Sequence, residues 1–170
     1  YYLDTHQLDS MSNWKLNVEN ALDEYHIASI HPSTFGHRGL LEEGHYHYTY
    51  ASPHSAMFYN ASDPSKMGTN YISEQIEEYP FVNDGYAIFY IFPNLNVIST
   101  IKSALVMQTF EPQSVDRTIV NNDFFWSGKP KPSYKKITET YLMRVFGEDK
   151  MPCEIMQSGK HQTDIPKIIV

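Results

Sequence analysis

The sequence has little cysteine and few basic residues. Cys153 is the only cysteine, so the chain cannot form an intrachain disulfide, a four-cysteine zinc site or an iron–sulfur cluster from its own ligands. Lys and Arg number 13 against 20 Asp and Glu, the net charge is -7, and no basic run offers a nucleic-acid surface. No apolar run approaches the roughly 20 residues that cross a bilayer, and no signal-peptide pattern opens the chain. We therefore expect a cytoplasmic protein without nucleic-acid or membrane partners.

The size of the chain suits one globular domain. It has 170 residues and a hydrophobic content of 41%, which is enough for an ordinary core. The chain begins at Tyr1 without an initiator Met and ends on the apolar residues Ile168, Ile169 and Val170, so we expect a fragment of a longer protein. We predict a single domain over residues 1–170.

The hydrophobic pattern predicts an α+β fold. Spacings of three and four predict a helix over about Val18 to Ile30, a helix over Ser133–Phe146, and a second helical segment that begins near Pro152. The acidic residues 71–79 fit either a short helix or a lid over a pocket. Runs of β-branched and aromatic residues predict an antiparallel meander between the helices. The meander has at least four strands, at Tyr86–Asn94, Leu95–Ile101, Ala104–Pro112 and Asp116–Trp126, and before it we expect long loops with one or two short strands around Tyr46–Ala51 and Ala56–Tyr59.

Two histidines five residues apart stand at the end of the first predicted helix. The string runs Asn13-Trp14-Lys15, then Glu19-Asn20-Ala21-Leu22-Asp23-Glu24-Tyr25-His26, and reaches His31. On a straight helix, five steps of about 100° would place the two rings about 140° apart, so both could not face one ion. Pro32 disfavours helical backbone at His31, which can therefore leave the helix and turn back towards His26. The spacing is compatible with a shared metal ion.

This string resembles the segment of Rieske non-haem iron ring-hydroxylating oxygenase alpha subunits that supplies both iron histidines. The resemblance implies that His26 and His31 bind mononuclear iron(II). Asp23 lies three residues before His26, so its carboxylate could accept a hydrogen bond from the ring nitrogen that does not face the metal. In the family this carboxylate also links to a cluster-ligating histidine of a neighbouring subunit and is the expected route for electrons. The alternative for Asp23 is an ordinary solvated charge.

A carboxylate would complete the two-histidine facial triad, which leaves positions open for oxygen. Near the C-terminus, an acidic pair, Glu148-Asp149, precedes Glu154 and then Gln157-Ser-Gly, which resembles the family segment that carries the third ligand. The resemblance assigns Asp149 as that ligand and leaves Glu148 and Glu154 as alternatives. The acidic pair could also serve only to favour the N-terminal dipole of a helix that begins near Pro152.

Several other residues are candidates for the substrate pocket. Asn20 lies near the iron in the family pattern. Tyr90, Phe92 and Phe110 belong to the predicted strands, where most aromatic side chains build the core and inward-facing ones should line the substrate cavity.

The resemblance also implies a fold and an activity. The fold would be a curved antiparallel sheet that grips a long C-terminal helix, a helix-grip arrangement of the START or Bet v1 type. The activity would be hydroxylation or dihydroxylation of a small organic substrate, aromatic in our interpretation, by iron(II) and O2 in a catalytic domain. The family's cluster motif, Cys-x-His then Cys-x-x-His, is absent from this chain. The Rieske [2Fe-2S] cluster must then lie in a missing domain or a neighbouring subunit.

Partners follow from the same resemblance. NAD(P)H would act only through a ferredoxin or flavin reductase, the full-length protein would be a homotrimer, and the isolated domain would not turn over. Three alternatives remain open. They are a quaternary-amine monooxygenase of the same family, a non-catalytic helix-grip module that binds a ligand, and a zinc hydrolase with the same three metal ligands.

Overall fold

The computed structural model describes residues 1–23, 25–31, 34, 46–59, 86–100, 104–126, 128–129 and 132–160. The predicted helix or lid at residues 71–79 lies outside them. Within this part of the chain there are seven strands and three helices. In chain order they are β1 (Tyr2–Ser10), α1 (Trp14–Leu22), α2 (Ile27–Ile30), β2 (Tyr46–Ala51), β3 (His54–Tyr59), β4 (Tyr86–Ile91), β5 (Leu95–Thr100), β6 (Ala104–Ser114), β7 (Arg117–Trp126) and α3 (Pro132–Lys160).

All seven strands form one antiparallel sheet. Its order is β1-β7-β6-β5-β4-β3-β2, so strands β2 to β7 follow one another as a meander and β1 adds to the far edge beside β7. In β7 the side chains alternate between buried and less buried positions, as expected for a sheet with one covered face. The α+β class, the meander and the C-terminal helix predicted from the sequence are confirmed.

Strand β1 was not predicted from the sequence. Its less exposed positions are Leu3, Asp4, His6, Leu8 and Ser10, of which Leu3 and Leu8 are apolar and lie five residues apart, so the strict apolar alternation that marks a half-buried strand is missing. Pairing holds the strand in place, with Leu8 opposite Val120 and the backbone N–H of Trp126 donating to the carbonyl of Tyr1 at 2.7 Å. The strand is therefore specified by its partner more than by its own pattern.

Two helices pack side by side on one face of the sheet, which we call the inner face. Helix α1 packs through Val18 against Phe110 and Val120. Helix α3 packs against a neighbouring part of the sheet, where the buried cluster consists of Val106, Phe124, Trp126, Tyr141, Val145 and Phe146. The helices also meet each other, since the buried Cys153 Sγ of α3 lies 3.7 Å from the carbonyl oxygen of Leu16. The two helices thus cover neighbouring parts of the inner face and contact each other.

Helix α3 is continuous over 29 residues, and the predicted interruption before Pro152 is wrong. Proline has no backbone N–H, so at this position the helix loses the hydrogen bond to the carbonyl of Glu148. Burial of Cys153 and Gln157 beyond the proline stabilises the continued helix. Glu148 and Asp149 therefore lie inside a helix, and the suggested role at a helix N-terminus is wrong. None of the described helices is both long and apolar enough to cross a membrane.

Candidate metal centre

The first helix ends before the two histidines. Helix α1 ends at Leu22, and Asp23 has extended backbone with φ -100° and ψ 128°. The prediction of one continuous helix over about Val18 to Ile30 is therefore wrong. A separate helical turn, α2, follows, with His26 directly before it and His31 directly after it. His31 has φ -107° and ψ 47°, so its predicted departure from helical backbone is confirmed. The two ring-bearing residues flank one short turn.

The two imidazoles converge on Asp149 of α3. His26 Nε2 lies 3.3 Å from Asp149 Oδ1, and His31 Nε2 lies 3.0 Å from the same oxygen. One donor atom from each of the three residues falls within 4.8 Å of the others. Two ligands bound at about 2.0–2.2 Å and at right angles to each other would be about 2.8–3.1 Å apart. The spacing and the two-imidazole, one-carboxylate chemistry both fit a single divalent cation.

Electrostatics favours an ionised carboxylate at this point. Burial would raise the pKa of Asp149, but hydrogen bonds and positive charge from His26 and His31 outweigh burial and lower the pKa. Burial would likewise lower the pKa of His31, but its contacts with Asp149 and Glu148 raise the pKa above that of an ordinary imidazole. Since a metal ion must displace the proton of a ligating imidazole, a cation and protons compete for these groups.

Glu148 contacts His31 from the side opposite Asp149. Its Oε2 lies 2.9 Å from His31 Nδ1 and accepts a hydrogen bond of 2.5 Å from the hydroxyl of Thr34. The guanidinium Nε of Arg144 lies 3.6 Å from Glu148 Oε1. A ring that donates from Nδ1 to a carboxylate presents the lone pair of Nε2 to a cation. From the sequence, Glu148 was considered as an alternative ligand or as a charge at a helix N-terminus, and not as a residue that orients a ligand. Its place beside Asp149 on one helix was the only available signal for this orienting role.

Asn20 and Asp23 surround the cluster differently. Asn20 Nδ2 donates to Asp149 Oδ1 at 2.9 Å. Asp23 is 46% exposed, and its Oδ2 lies 4.0 Å from His26 Nδ1, which is longer than a hydrogen bond. Its other oxygen accepts from the backbone N–H of Tyr25. His26 Nδ1 is buried and has no hydrogen-bond partner. The structure thus brings Asp23 near the predicted ring nitrogen without bonding to it, because helix α1 has already ended.

Glu154, the remaining alternative ligand, has a different contact. Its Oε1 accepts a 2.8 Å hydrogen bond from the backbone N–H of Met11, and it is not part of the three-residue cluster. One turn later, Gln157 Oε1 accepts from the backbone N–H of Asn13 at 3.0 Å. These two side chains fasten α3 to the connection between β1 and α1.

The three aromatic pocket candidates differ in what they line, although Tyr90 also packs against the core cluster that contains Phe110. Phe110 is buried and lines a small pocket together with Asn20 and Asp149, between α1, α3 and the sheet. Tyr90 lines a separate apolar pocket of about 360 Å³ on strands β2 to β5, which none of the three donor residues lines. Phe92 lies in the turn between β4 and β5 and is 52% exposed. Among the described residues, only Phe110 of these three lies beside the cluster.

Comparison with known proteins identifies the family. A family model described as the ring hydroxylating alpha subunit (catalytic domain) matches residues 2–170. The chain belongs to this family. It is a family of Rieske non-haem iron oxygenases, so the resemblance found in the sequence is confirmed. No curated protein sequence matches the chain.

Solved structures of Rieske oxygenases share the fold. The quaternary ammonium Rieske monooxygenase CntA in complex with an inhibitor aligns with a TM-score of 0.75 and 16% identity over 98% of this chain and 41% of its own. Pseudomonas putida CBB5 NdmA with caffeine aligns with a TM-score of 0.67 and 15% identity over 98% of this chain and 46% of its own. Naphthalene 1,2-dioxygenase from Rhodococcus sp. bound to indole aligns with a TM-score of 0.64 and 15% identity over 95% of this chain and 44% of its own. This chain therefore spans less than half the length of each of these proteins. The shared fold confirms the predicted curved open sheet with its C-terminal helix.

Proposed function

We propose that this chain binds one iron(II) ion through His26, His31 and Asp149 and serves as the catalytic domain of an oxygenase. In the full-length protein it would use O2 to hydroxylate or dihydroxylate a small organic substrate of aromatic character. The observation that carries the proposal is the meeting of His26 Nε2, His31 Nε2 and Asp149 Oδ1 within 4.8 Å, in a chain of this family.

The surrounding residues would hold the three ligands in place. When bound, iron(II) in a facial triad supplies open positions for O2 chemistry. Glu148 orients the ring of His31, whose side chain is almost fully buried and so excludes water from that side. Asn20 donates to Asp149 Oδ1 and thereby limits rotation of the carboxylate. Such supporting contacts fix the orientation of metal ligands and tune their basicity.

Electrons would reach the site from outside this chain. With one cysteine, the chain cannot supply the ligands of a [2Fe-2S] cluster, so we place the Rieske cluster in another domain or a neighbouring subunit. Asp23 is half-exposed and lies beside buried His26 Nδ1, which suits a carboxylate that bridges to a cluster-ligating histidine of a neighbouring subunit. A homotrimer and a ferredoxin or flavin reductase that draws on NAD(P)H complete this proposal.

Iron content tests the ligand assignment. The 170-residue chain, purified anaerobically and supplied with iron(II), should hold close to one iron per chain. His26→Ala, His31→Ala and Asp149→Ala should each remove most of the iron. Glu154→Ala is the matched control, because this carboxylate lies on the same helix but bonds to the backbone of Met11. Iron content that survives both histidine substitutions would show that the assignment is wrong.

Activity of the full-length protein tests the reaction class. Product from an aromatic probe that contains one or two atoms of oxygen from ¹⁸O2 would support hydroxylation or dihydroxylation. Oxidation of a trimethylammonium probe alone would favour the quaternary-amine alternative. Loss of iron without any effect on ligand binding would favour a non-catalytic module.

A further inference from the structure

A row of polar side chains crosses the inner face of the sheet. It consists of His6 on β1, Asn122 on β7, Gln108 on β6 and Asn96 on β5, and we call it the polar row. Each member stands directly opposite the next in the strand register. Directly opposite residues on paired strands carry their side chains on the same face. The four polar groups are therefore neighbours in one line across four strands.

On β6 and β7 the polar row lies between the residues that pack against α1 and those that pack against α3. Two residues further along β6 and β7, Phe110 and Val120 pack against α1. Two residues in the other direction, Val106 and Phe124 pack against α3. Gln108 of the row lines the small pocket that Asn20 and Asp149 also line. The row thus crosses the sheet from β1 to β5, and its member Gln108 shares a pocket with the candidate metal centre.

Hydrogen bonds fix the orientation of two amides in the row. Asn122 Nδ2 donates to the backbone carbonyls of His6 and Val120 at 3.2 and 3.3 Å. Its Oδ1 is then the acceptor, and it accepts a hydrogen bond of 3.0 Å from Gln108 Nε2. Gln108 therefore has its Oε1 left as an acceptor.

Asn96 differs sharply from Asn122. Both are 0% exposed, yet neither Nδ2 nor Oδ1 of Asn96 has a hydrogen-bond partner. Buried side-chain amides are nearly always bonded, because an unmade hydrogen bond leaves the loss of hydration uncompensated. Asn122 shows that the same sheet can satisfy an amide at such a position. The two unpaired atoms of Asn96 thus leave a donor and an acceptor available to a hydrogen-bonding ligand.

We propose that Asn96, together with Gln108, binds the substrate through a carboxamide or lactam group. Asn96 offers a donor and an acceptor, and Gln108 Oε1 offers a second acceptor, which matches a ligand with both N–H and C=O groups. Among the described residues, the row contains no Lys or Arg, and the Lys150 ammonium in the adjoining pocket lies 3.5 Å from Glu154, so neither a lysine nor an arginine of this region favours a carboxylate over an amide. The proposal rests on the proposed function, since it assigns the substrate of the same site.

Binding of small probes to the iron-loaded full-length protein without O2 tests the proposal. Benzamide, benzoate and toluene share a ring and differ in the group that Asn96 would contact. We expect benzamide to bind at least about tenfold more tightly than toluene, and more tightly than benzoate. Asn96→Leu should reduce the ratio of benzamide to toluene affinity about tenfold, because it removes the hydrogen bonds but keeps an apolar wall. Asn96→Ala should reduce the same affinity ratio by a similar factor, and it does so without a larger side chain that could block the probe.

Asn121→Leu is the matched control. Asn121 is the next residue after Val120 on β7, belongs to the opposite face of the sheet and bonds to the exposed Gln7. The Asn121→Leu substitution should leave the ratio of benzamide to toluene affinity unchanged. The melting temperature of ligand-free Asn96→Leu should equal or exceed that of the wild type, because an unsatisfied buried amide has been removed.

The possible results separate the two proposals. An unchanged ratio in folded Asn96→Leu and Asn96→Ala would overturn the role of Asn96, as would tighter binding of benzoate or the unfolding of both variants. A lost preference would support it even if O2 gave no product from any probe, in which case only the proposed reaction would fail. Product from toluene with an unchanged ratio would leave the reaction standing and overturn Asn96 alone.

Discussion

Substitution of Glu148 would separate a residue that orients a ligand from a ligand itself. Glu148 Oε2 lies 2.9 Å from His31 Nδ1, on the side of the ring away from Asp149. Glu148→Ala would leave a buried ring nitrogen without its acceptor and free the ring of His31 to rotate. Glu148→Gln would keep one oxygen acceptor at nearly the same place but remove the negative charge.

The expected size of the effect follows from this arrangement. Loss of a carboxylate that orients a metal-bound histidine typically lowers metal affinity by about 10–100-fold, or roughly 1.4–2.7 kcal/mol. We therefore expect Glu148→Ala to weaken iron(II) binding by this amount, and Glu148→Gln to weaken it less. Asp149→Ala should be more severe, because it removes a donor atom and a negative charge that lies within 3.3 Å of both rings.

Anaerobic competition with a coloured iron(II) chelator would measure these affinities. Glu154→Ala again serves as the control, since it removes a carboxylate from the same helix six residues away without touching His31. An affinity of Glu148→Ala within twofold of the wild type would refute the orienting role. Equal loss in Glu148→Ala and Asp149→Ala would instead indicate that Glu148 is itself a ligand.

Two further predictions concern residues around the cluster. In the full-length protein, Asp23→Ala should retain iron but strongly lower oxidation driven by the Rieske cluster, and unimpaired electron transfer from the reduced cluster would refute a bridging role. Cys153 should resist iodoacetamide in the folded chain at pH 8 and react after unfolding in guanidinium. Burial raises the pKa of this thiol to about 12, so only about one in ten thousand is ionised at that pH, and labelling should accelerate as the pH rises. Rapid labelling of the native chain, followed by mass spectrometry, would contradict the buried position.

The residues of the candidate metal centre could be predicted because their identity depends on short strings of sequence. The segment from Asn13 to His31 and the acidic pair at Glu148-Asp149 carry the family pattern in residue type and spacing, and the structure brings His26, His31 and Asp149 together. The strands of the meander were also predictable, since β-branched and aromatic residues fill them. Both signals are local, so they survive without knowledge of tertiary contacts.

Other features depended on contacts that the sequence does not display. The end of α1 at Leu22 is set by the extended backbone of Asp23, although the helical spacing of residues continues beyond it. The passage of α3 through Pro152 depends on packing of the residues that follow the proline. The role of Glu148 requires the relative placement of two distant segments, because the side chain meets His31 from 117 residues away.

That distance along the chain has a consequence for biosynthesis. A nascent chain emerges from the ribosome N-terminus first, so both histidines are exposed long before Asp149 has been made. Asn20 likewise precedes its hydrogen-bond partner Asp149 by 129 residues, and the edge strand β1 is made before its partner β7 at the other end of the meander. On the proposed assignment, an iron ion would therefore not find its complete ligand set until α3 has left the exit tunnel. A ribosome that stalls after β7 would release a chain with two histidines and no carboxylate to join them.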